Sequence, residues 1–186
     1  MHDPAQDRLP PTSLVKTESE DLARRDDDLS DLLRHPTFLE THFQLHHGGR
    51  KSDHLRRSAR YAAWIAGLMG ADRRVCARAA LLHDLHSRLG TLSTHGAIAA
   101  EVAAQMGERE AVCLAITPHM YPLGPAPTTL EGWVLVIADK VASVVDGLHF
   151  VALLVSGESG RTRRMLREVD PYLGGGEAEP VLVTEG

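Results

Sequence analysis

The sequence has 186 residues and a mass of 20.3 kDa, which is enough for one compact domain. Hydrophobic residues make up 43% and charged residues 24%, a globular composition that excludes a wholly disordered chain. No apolar run reaches the roughly 18 residues that cross a bilayer, and no basic segment followed by an apolar one opens the chain. We therefore expect a cytoplasmic protein without membrane contact, in which Cys76 and Cys113 are reduced thiols in apolar helical patterns.

The formal net charge is −5, and acidic residues are concentrated at the two ends. Residues 1–34 contain nine acidic and five basic side chains, whereas residues 168–186 contain five acidic and no basic ones. The intervening residues contain 15 basic and 11 acidic side chains. This mildly basic body suits a small anionic substrate. It lacks the clustered Lys and Arg of a nucleic-acid-binding face, so we expect no stable nucleic-acid binding.

The domain organisation follows from where periodic apolar patterns begin and end. Residues 1–28 are predicted to be a disordered arm, and residues 171–186 a flexible acidic tail, because neither segment is periodic. Between them, residues 29–170 place apolar side chains three and four positions apart, which is typical of helices. Alternating β-branched residues are missing outside the tail. The fold class is therefore predicted to be all-α, as a single helical bundle.

The predicted helices can be given in chain order. They cover 29–45 (two short helices broken near Pro36), 53–69, Asp72 to about His86, Thr94 to Met106, Glu108 to about Pro118, a segment through Val145, and about 148–169. Asp72 and Thr94 are predicted N-caps. Thr128-Thr129-Leu130-Glu131 is interpreted as a capping box that opens the helix through Val145.

Histidines and two carboxylates carry the functional signal. Five of the eleven histidines fall where predicted helices begin or end, namely His54, His83, His86, His95 and His119. Asp84 and Asp139 lie among apolar residues, where an isolated charge would cost several kcal/mol to bury. Both carboxylates therefore need a cation, a strong donor or a metal ion.

A metal ion is the partner that the residue types favour. Imidazole and carboxylate ligands from several helices suit Zn, Mn or Fe. His83 and Asp84 are about 100° apart around a helix and could approach one ion from the same side. A carboxylate has two oxygens, so Asp84 could also bridge two ions.

The order of these residues resembles the HD-domain superfamily of metal-dependent phosphohydrolases, particularly a group of small bacterial members. The motifs that carry the resemblance are SDHLRRSARYAAWIA, ARAALLHDLH, STHGAIAA, AITPHMYPL and VLVIADKVAS. The resemblance covers about residues 40–150. It implies an all-α bundle with a dinuclear metal site in its core, holding two divalent transition metal ions.

The resemblance also implies a ligand set. In it, His54, His83, Asp84 and Asp139 hold the first ion, and Asp84 bridges to the second as a catalytic residue. His95 and His119 match the two extra histidines that hold the second ion in dinuclear members.

Substrate contacts are predicted where the chain departs from the family. Many members continue the doublet as His-Asp-Ile-Gly-Lys, whose lysine can contact substrate phosphate, whereas this chain has His-Asp-Leu-His-Ser-Arg. His86 or Arg88 is expected to take the place of that lysine. Lys140, next to Asp139, is a predicted catalytic and phosphate-binding residue. His46 and His47 precede two glycines that would let the backbone approach a ligand, although a plain turn explains them equally well.

Three functions are compatible with these residues. The leading hypothesis is hydrolysis of a phosphate ester of a small molecule, a nucleotide, by a metal-activated bridging hydroxide. The same ligand set resembles that of mixed-valent diiron oxygenases, which consume oxygen and need iron. A non-catalytic nucleotide-binding module would bind its ligand without turnover. The last helix, the first helices or the arm could also form a homodimer contact.

Overall fold

The chain is described here by a computed structural model that covers residues 28–46, 49–156, 160 and 164–167. The predicted arm (apart from Asp28) and the predicted tail lie outside these residues. The regular elements are a helical segment at 28–33, α1 (Pro36–Glu40), a 3₁₀ turn (Thr41–Phe43), β1 (Leu45–His46), β2 (Gly49–Arg50), α2 (Lys51–Met69), α3 (Arg73–Leu82), a 3₁₀ turn (Ser87–Leu89), α4 (His95–Gln105), α5 (Glu110–Ile116) and α6 (Leu130–Val155). The prediction of an all-α fold is confirmed.

Two short strands are the only departure from helix among the described elements. β1 and β2 pair antiparallel, with Leu45 opposite Arg50 and His46 opposite Gly49. Strands of two residues are too short to show the alternating pattern by which strands are recognised in a sequence. The hairpin was therefore missed, and it places His46 opposite Gly49, two residues before the start of α2.

Small residues bring the three central helices close together. Ala59, Ala62 and Ala66 of α2 are buried, as are Ala79 of α3 and Ala138 of α6. Alanine keeps good helix propensity while occupying little volume, so the backbones can approach despite an aromatic content of only 4%. Helices α4 and α5 pack on this layer. No helix in the described part of the chain is both long and apolar enough to cross a membrane.

Of the two N-caps predicted from single residues, one is confirmed and the other makes no capping hydrogen bond. The Asp72 carboxylate accepts hydrogen bonds from the backbone N–H groups of Arg74 and Val75, which confirms it as the N-cap of α3. Thr94 occupies the N-cap position of α4, but its hydroxyl accepts from the Thr91 N–H and caps nothing in the helix.

The predicted capping box is wrong by one residue. Thr129, rather than Thr128, is the N-cap of α6, and its hydroxyl accepts from the Gly132 N–H at 3.0 Å. Glu131 instead accepts a hydrogen bond from the Asp72 backbone N–H at 3.2 Å. Glu131 therefore joins the starts of α3 and α6, a long-range contact that a local motif does not reveal.

Two helix ends differ from the sequence prediction. Helix α3 ends at Leu82, four residues before the predicted end, so His83 and Asp84 lie in the following turn and not on the helix. Helix α6 is continuous through Gly147, where the sequence predicted a break between two helices. A single glycine costs a helix only about 1 kcal/mol relative to alanine, and the apolar residues on either side keep the helix intact.

Candidate metal centre

Five elements of the bundle bring the six predicted metal ligands together. His54 comes from the first turn of α2, His83 and Asp84 from the turn after α3, His95 from the start of α4, His119 from the turn after α5, and Asp139 from the middle of α6. Each of the six is at most 7% exposed. Polar groups buried this deeply need partners, and here they are one another's neighbours.

A buried lysine fixes the turn that carries the doublet. Lys51 is 1% exposed, and its ammonium group donates hydrogen bonds to the backbone carbonyl of Asp84 at 3.0 Å and to the Ser87 hydroxyl at 2.8 Å. It also lies 3.9 Å from the Asp84 carboxylate. Lys51 therefore holds the backbone of the turn and adds a positive charge beside the carboxylate.

A glycine allows His95 and His119 to meet. A Cβ atom on Gly96, next to His95, would lie 2.4 Å from the Thr117 carbonyl oxygen and 3.1 Å from Nδ1 of His119. Only glycine leaves room for this approach between the start of α4 and the turn after α5. The two Nε2 atoms of His95 and His119 consequently lie 2.9 Å apart.

The ligand atoms form two overlapping groups. His54, His83 and Asp139 each offer an atom within 4.8 Å of the others, and Asp139 Oδ1 lies 3.2 Å from His54 Nε2 and 3.4 Å from His83 Nε2. His83, Asp84 and His119 make a second such group. The two groups share His83, whose Nε2 can bind only one ion, so the cluster could hold one ion or two.

The tautomers of three rings can be assigned from their partners. Nδ1 of His83, His95 and His119 lies 2.8, 2.9 and 2.9 Å from the backbone carbonyl oxygens of Ala80, Thr91 and Ile116, in that order. A carbonyl oxygen only accepts, so each Nδ1 must carry the hydrogen, and each neutral ring has its lone pair on Nε2.

These lone pairs face other acceptors. The Nε2 atoms of His95 and His119 face each other, and His95 Nε2 also lies 3.4 Å from Asp84 Oδ1. Acceptors that face acceptors in a buried site need positive charge between them, from protons or from a metal ion. Imidazole nitrogens and carboxylate oxygens fit Zn, Mn or Fe, so this donor set suits the ions that the sequence predicted.

The electrostatics keep the carboxylates charged and one ring neutral. Burial by itself raises the pKa of Asp84 and Asp139. In the absence of a metal ion, a protonated His83 and the Lys51 ammonium near Asp84, and hydrogen bonds from protonated His54 and His83 to Asp139, outweigh burial and hold both carboxyl pKa values well below their usual range. Burial lowers the pKa of His119 to about 3, so this ring is a neutral donor at pH 7.

Asp146 is a site residue that sequence reasoning missed. Its Oδ2 lies 2.6 Å from Nδ1 of His54, and its carboxylate also forms an ion pair with Arg57. A carboxylate behind a metal-binding histidine fixes the tautomer and orientation of the ring. The signal was the spacing, because Asp146 follows Asp139 by seven residues and thus lies on the same face of α6 two turns later.

The predicted substrate-binding residues differ in how close they lie to the cluster. His46 Nδ1 lies 3.6 Å from Asp84 Oδ2, and Lys140 Nζ lies 3.4 Å from Asp139 Oδ2 at the half-exposed edge of the cluster. Arg88 donates to the Leu45 carbonyl at 3.1 Å and so supports the hairpin. His86 adopts a left-handed backbone (φ 51°) before the second 3₁₀ turn, outside both ligand groups. His47 lies outside the described residues.

A cavity of about 380 Å³ opens beside the cluster. Its lining includes His46 and His54, together with Arg50, Arg57, His149 and Phe150, four residues that were not predicted to belong to the site. The volume is within the usual range for small-molecule sites. Two aspartates, Asp53 and Asp146, balance the two arginines of the lining, and Arg57 is paired with Asp146.

Comparison with known proteins agrees with this arrangement. The family model described as HD domain matches residues 52–143, a range that contains all six predicted ligands. Ribonuclease Y of Cutibacterium acnes is 36% identical over 124 residues, which are 65% of this chain and 22% of that protein. The glycine–tRNA ligase beta subunit of Nitratidesulfovibrio vulgaris is 37% identical over 117 residues, 59% of this chain and 16% of that protein.

The shared region is a module within larger proteins. Ribonuclease Y of Chloroflexus aurantiacus, 29% identical over 107 residues, is likewise matched over only 21% of its length. The chain thus spans less than a quarter of the length of these curated relatives. No solved structure matches it significantly. The family match and the buried His/Asp cluster lead to one conclusion: the chain carries an HD domain over residues 52–143 and through it belongs to the HD-domain family.

Proposed function

We propose that this chain is a metal-dependent phosphohydrolase that cleaves a phosphate ester of a small anionic molecule, a nucleotide. The HD-domain family consists generally of metal-dependent hydrolases. The observation that carries the proposal is the buried cluster in which the Nε2 lone pairs of His95 and His119 face each other and Asp84. Similarity to proteins named ribonuclease Y supports a phosphoester bond as the target.

The chain's own residues would hold two divalent ions and keep them in place. His54, His83 and Asp139 would bind one ion, and Asp84, His95 and His119 the other, with Asp84 also shared with the first. Such ions lower the pKa of a bound water and supply hydroxide at neutral pH. The backbone carbonyls behind three of the rings keep their Nε2 atoms directed into the cluster, so the ligands are preorganised.

The residues at the rim would bind the phosphate and handle the leaving group. Lys140 is half-exposed beside Asp139, where its ammonium can turn from that carboxylate to an incoming phosphate. His46 lies beside Asp84 and lines the cavity, and in this proposal it would hold or give a proton at the leaving oxygen. Because Arg88 is engaged with the hairpin backbone, Lys140 and His46 are the better candidates for substrate contact.

Metal content and a substrate panel test the proposal. Protein purified without chelator is expected to contain about two ions per chain by elemental mass spectrometry. With Mn²⁺ or Zn²⁺ and without oxygen, it should release phosphate or a phosphomonoester from one of nucleoside monophosphates, dinucleoside polyphosphates or a short RNA. Asp84→Asn should lower both metal content and turnover, the latter by roughly 100-fold or more. Glu101→Gln, which alters an exposed carboxylate on α4, is the matched control.

Three results would contradict it. Full metal content and turnover in the Asp84→Asn variant would remove Asp84 from the site. Bound iron with oxygen consumption and no hydrolysis would favour the diiron oxygenase. Tight nucleotide binding with no turnover under any metal would favour the binding module.

A further inference from the structure

Helix α6 carries an apolar stripe on its exposed side. Six apolar residues on this side are exposed, and the spacing between them alternates between four and three positions. They are Ile137, Val141, Val144, Leu148, Val151 and Val155. We refer to these six as the α6 seam. Alternating spacings of this kind define the a and d positions of a heptad, which face a partner helix in a coiled coil.

The α6 seam is a second apolar face of its helix. Val134, Leu135, Ala138 and Ala142 are buried and form the face of α6 that packs on the rest of the domain. A surface helix of a globular protein normally shows one apolar stripe and is polar elsewhere. The existence of a second stripe calls for a second packing partner.

The charge pattern excludes a lipid surface as that partner. Helices that lie on membranes carry Lys and Arg along the edge of the apolar face. From residue 141 to the end of α6, the only formally charged side chain is Asp146, which is paired with Arg57 and His54. Lys140 is the single cation beside the seam. An uncharged apolar surface of this kind matches another apolar protein surface.

The partner must offer an apolar stripe of similar length and period. The two long segments outside the described residues, 1–27 and 168–186, contain no apolar residues that repeat three and four positions apart over such a length. The seam itself does have that repeat. We propose that the α6 seam packs against the α6 seam of a second copy of this chain, which forms a two-fold symmetric dimer.

The available area is sufficient for a dimer. Residues 137–155 span about 28 Å at 1.5 Å per residue, and half the lateral surface of a helix about 11 Å across is then on the order of 500 Å². Two copies would bury about 1,000 Å², which reaches the lower limit for a specific interface. The dimer contact lies on the side of α6 away from Asp139, so it stands or fails independently of the proposed chemistry.

Substitutions matched for exposure test the seam. The full-length chain should sediment in analytical ultracentrifugation at twice the chain mass of 20.3 kDa at micromolar concentration. Leu148→Glu places a charge in the seam, where Leu148 is 66% exposed, and should weaken dimerisation by at least tenfold. Leu68→Glu changes a side chain that is 69% exposed on α2 and is not one of the six seam residues, and it should leave the dimer intact.

The outcomes separate the dimer from other uses of the seam. A wild-type chain that stays monomeric at all concentrations overturns the proposal, and so does a dimer that Leu148→Glu leaves as stable as Leu68→Glu does. If the wild type is a monomer and Leu148→Glu increases its hydrodynamic size, another part of the chain covers the seam. That result also contradicts the dimer. Far-UV circular dichroism checks folding, and Val144→Lys, also in the seam, replaces Leu148→Glu if that variant does not fold.

Discussion

In the histidines of the candidate metal centre, Nδ1 is held by a protein group and Nε2 points into the cluster. In His83, His95 and His119 a backbone carbonyl takes the Nδ1 hydrogen, whereas in His54 the partner of Nδ1 is the Asp146 carboxylate. A carboxylate raises the basicity of the ring more than a neutral carbonyl does. His54 should therefore depend on a side chain for its orientation, and the other three should not.

Replacing Asp146 should weaken metal binding without unfolding the protein. In Asp146→Asn, the amide can still meet His54 Nδ1 but no longer supplies the negative charge, so we expect metal affinity to fall roughly 10–100-fold. Competition with a chelating dye measures that affinity. Asp53→Asn removes the same charge from an exposed residue that lines the same cavity and should bind metal like the wild type. Equal affinities in the two variants would show that Asp146 does not act through His54.

At the scale of elements, Arg78 joins three parts of the chain. From within α3, its guanidinium pairs with Asp31 of the 28–33 helical segment and with Glu108 between α4 and α5, and donates to the Asp28 carbonyl at 2.7 Å. The hydrogen bond from Arg78 lowers the pKa of Asp31 despite the opposing effect of burial. Removing one partner of such a network leaves buried charge on the other, as on Glu108, whose side chain is 4% exposed.

Arg78→Ala should therefore destabilise the fold by about 3–5 kcal/mol. Arg74 lies on the same helix but pairs at 3.6 Å with an exposed Asp28, so Arg74→Ala should change stability by about 1 kcal/mol or less. Urea unfolding followed by circular dichroism gives both values. If the two variants unfolded at the same urea concentration, the Arg78 network would contribute no more than an ordinary surface pair.

The sequence predicted elements better than it predicted their ends. Periodicity located α2 and the Asp72 cap because both depend on neighbouring residues. It placed the end of α3 too late, since apolar residues continue through Leu85 while Lys51, distant in sequence, holds the Asp84 carbonyl in the turn. The same limit hid Asp146 and the shift of the capping box, because both depend on contacts between different helices.

In the molecule as a whole, the candidate metal centre is the place where five elements of the bundle meet. The order of His54, His83-Asp84, His95, His119 and Asp139 along the chain was enough to predict that they would cluster, because the family resemblance supplies the fold that brings them together. The rim was harder to predict. Arg50 and His149 are far apart in the sequence, and they become neighbours only because the hairpin and α6 line the same cavity in the fold.

Because five elements converge on this cluster, metal removal should lower the thermal stability of the entire domain. Without ions, the carboxylates of Asp84 and Asp139 and the facing Nε2 atoms of His95 and His119 lose their shared cation. A ligand at 100 times its dissociation constant stabilises the folded state by about 2.7 kcal/mol, which corresponds to roughly 5–10 °C in melting temperature for a chain of this size. We expect differential scanning fluorimetry of chelator-treated protein to show a drop of that size, reversed by Mn²⁺ or Zn²⁺ at constant protein concentration.

The Asp84→Asn variant should not show this change in melting temperature, and the Glu101→Gln variant should show it. A melting temperature that is unchanged after elemental analysis has verified metal loss would mean that the cluster does not bind its ions as part of the folded core.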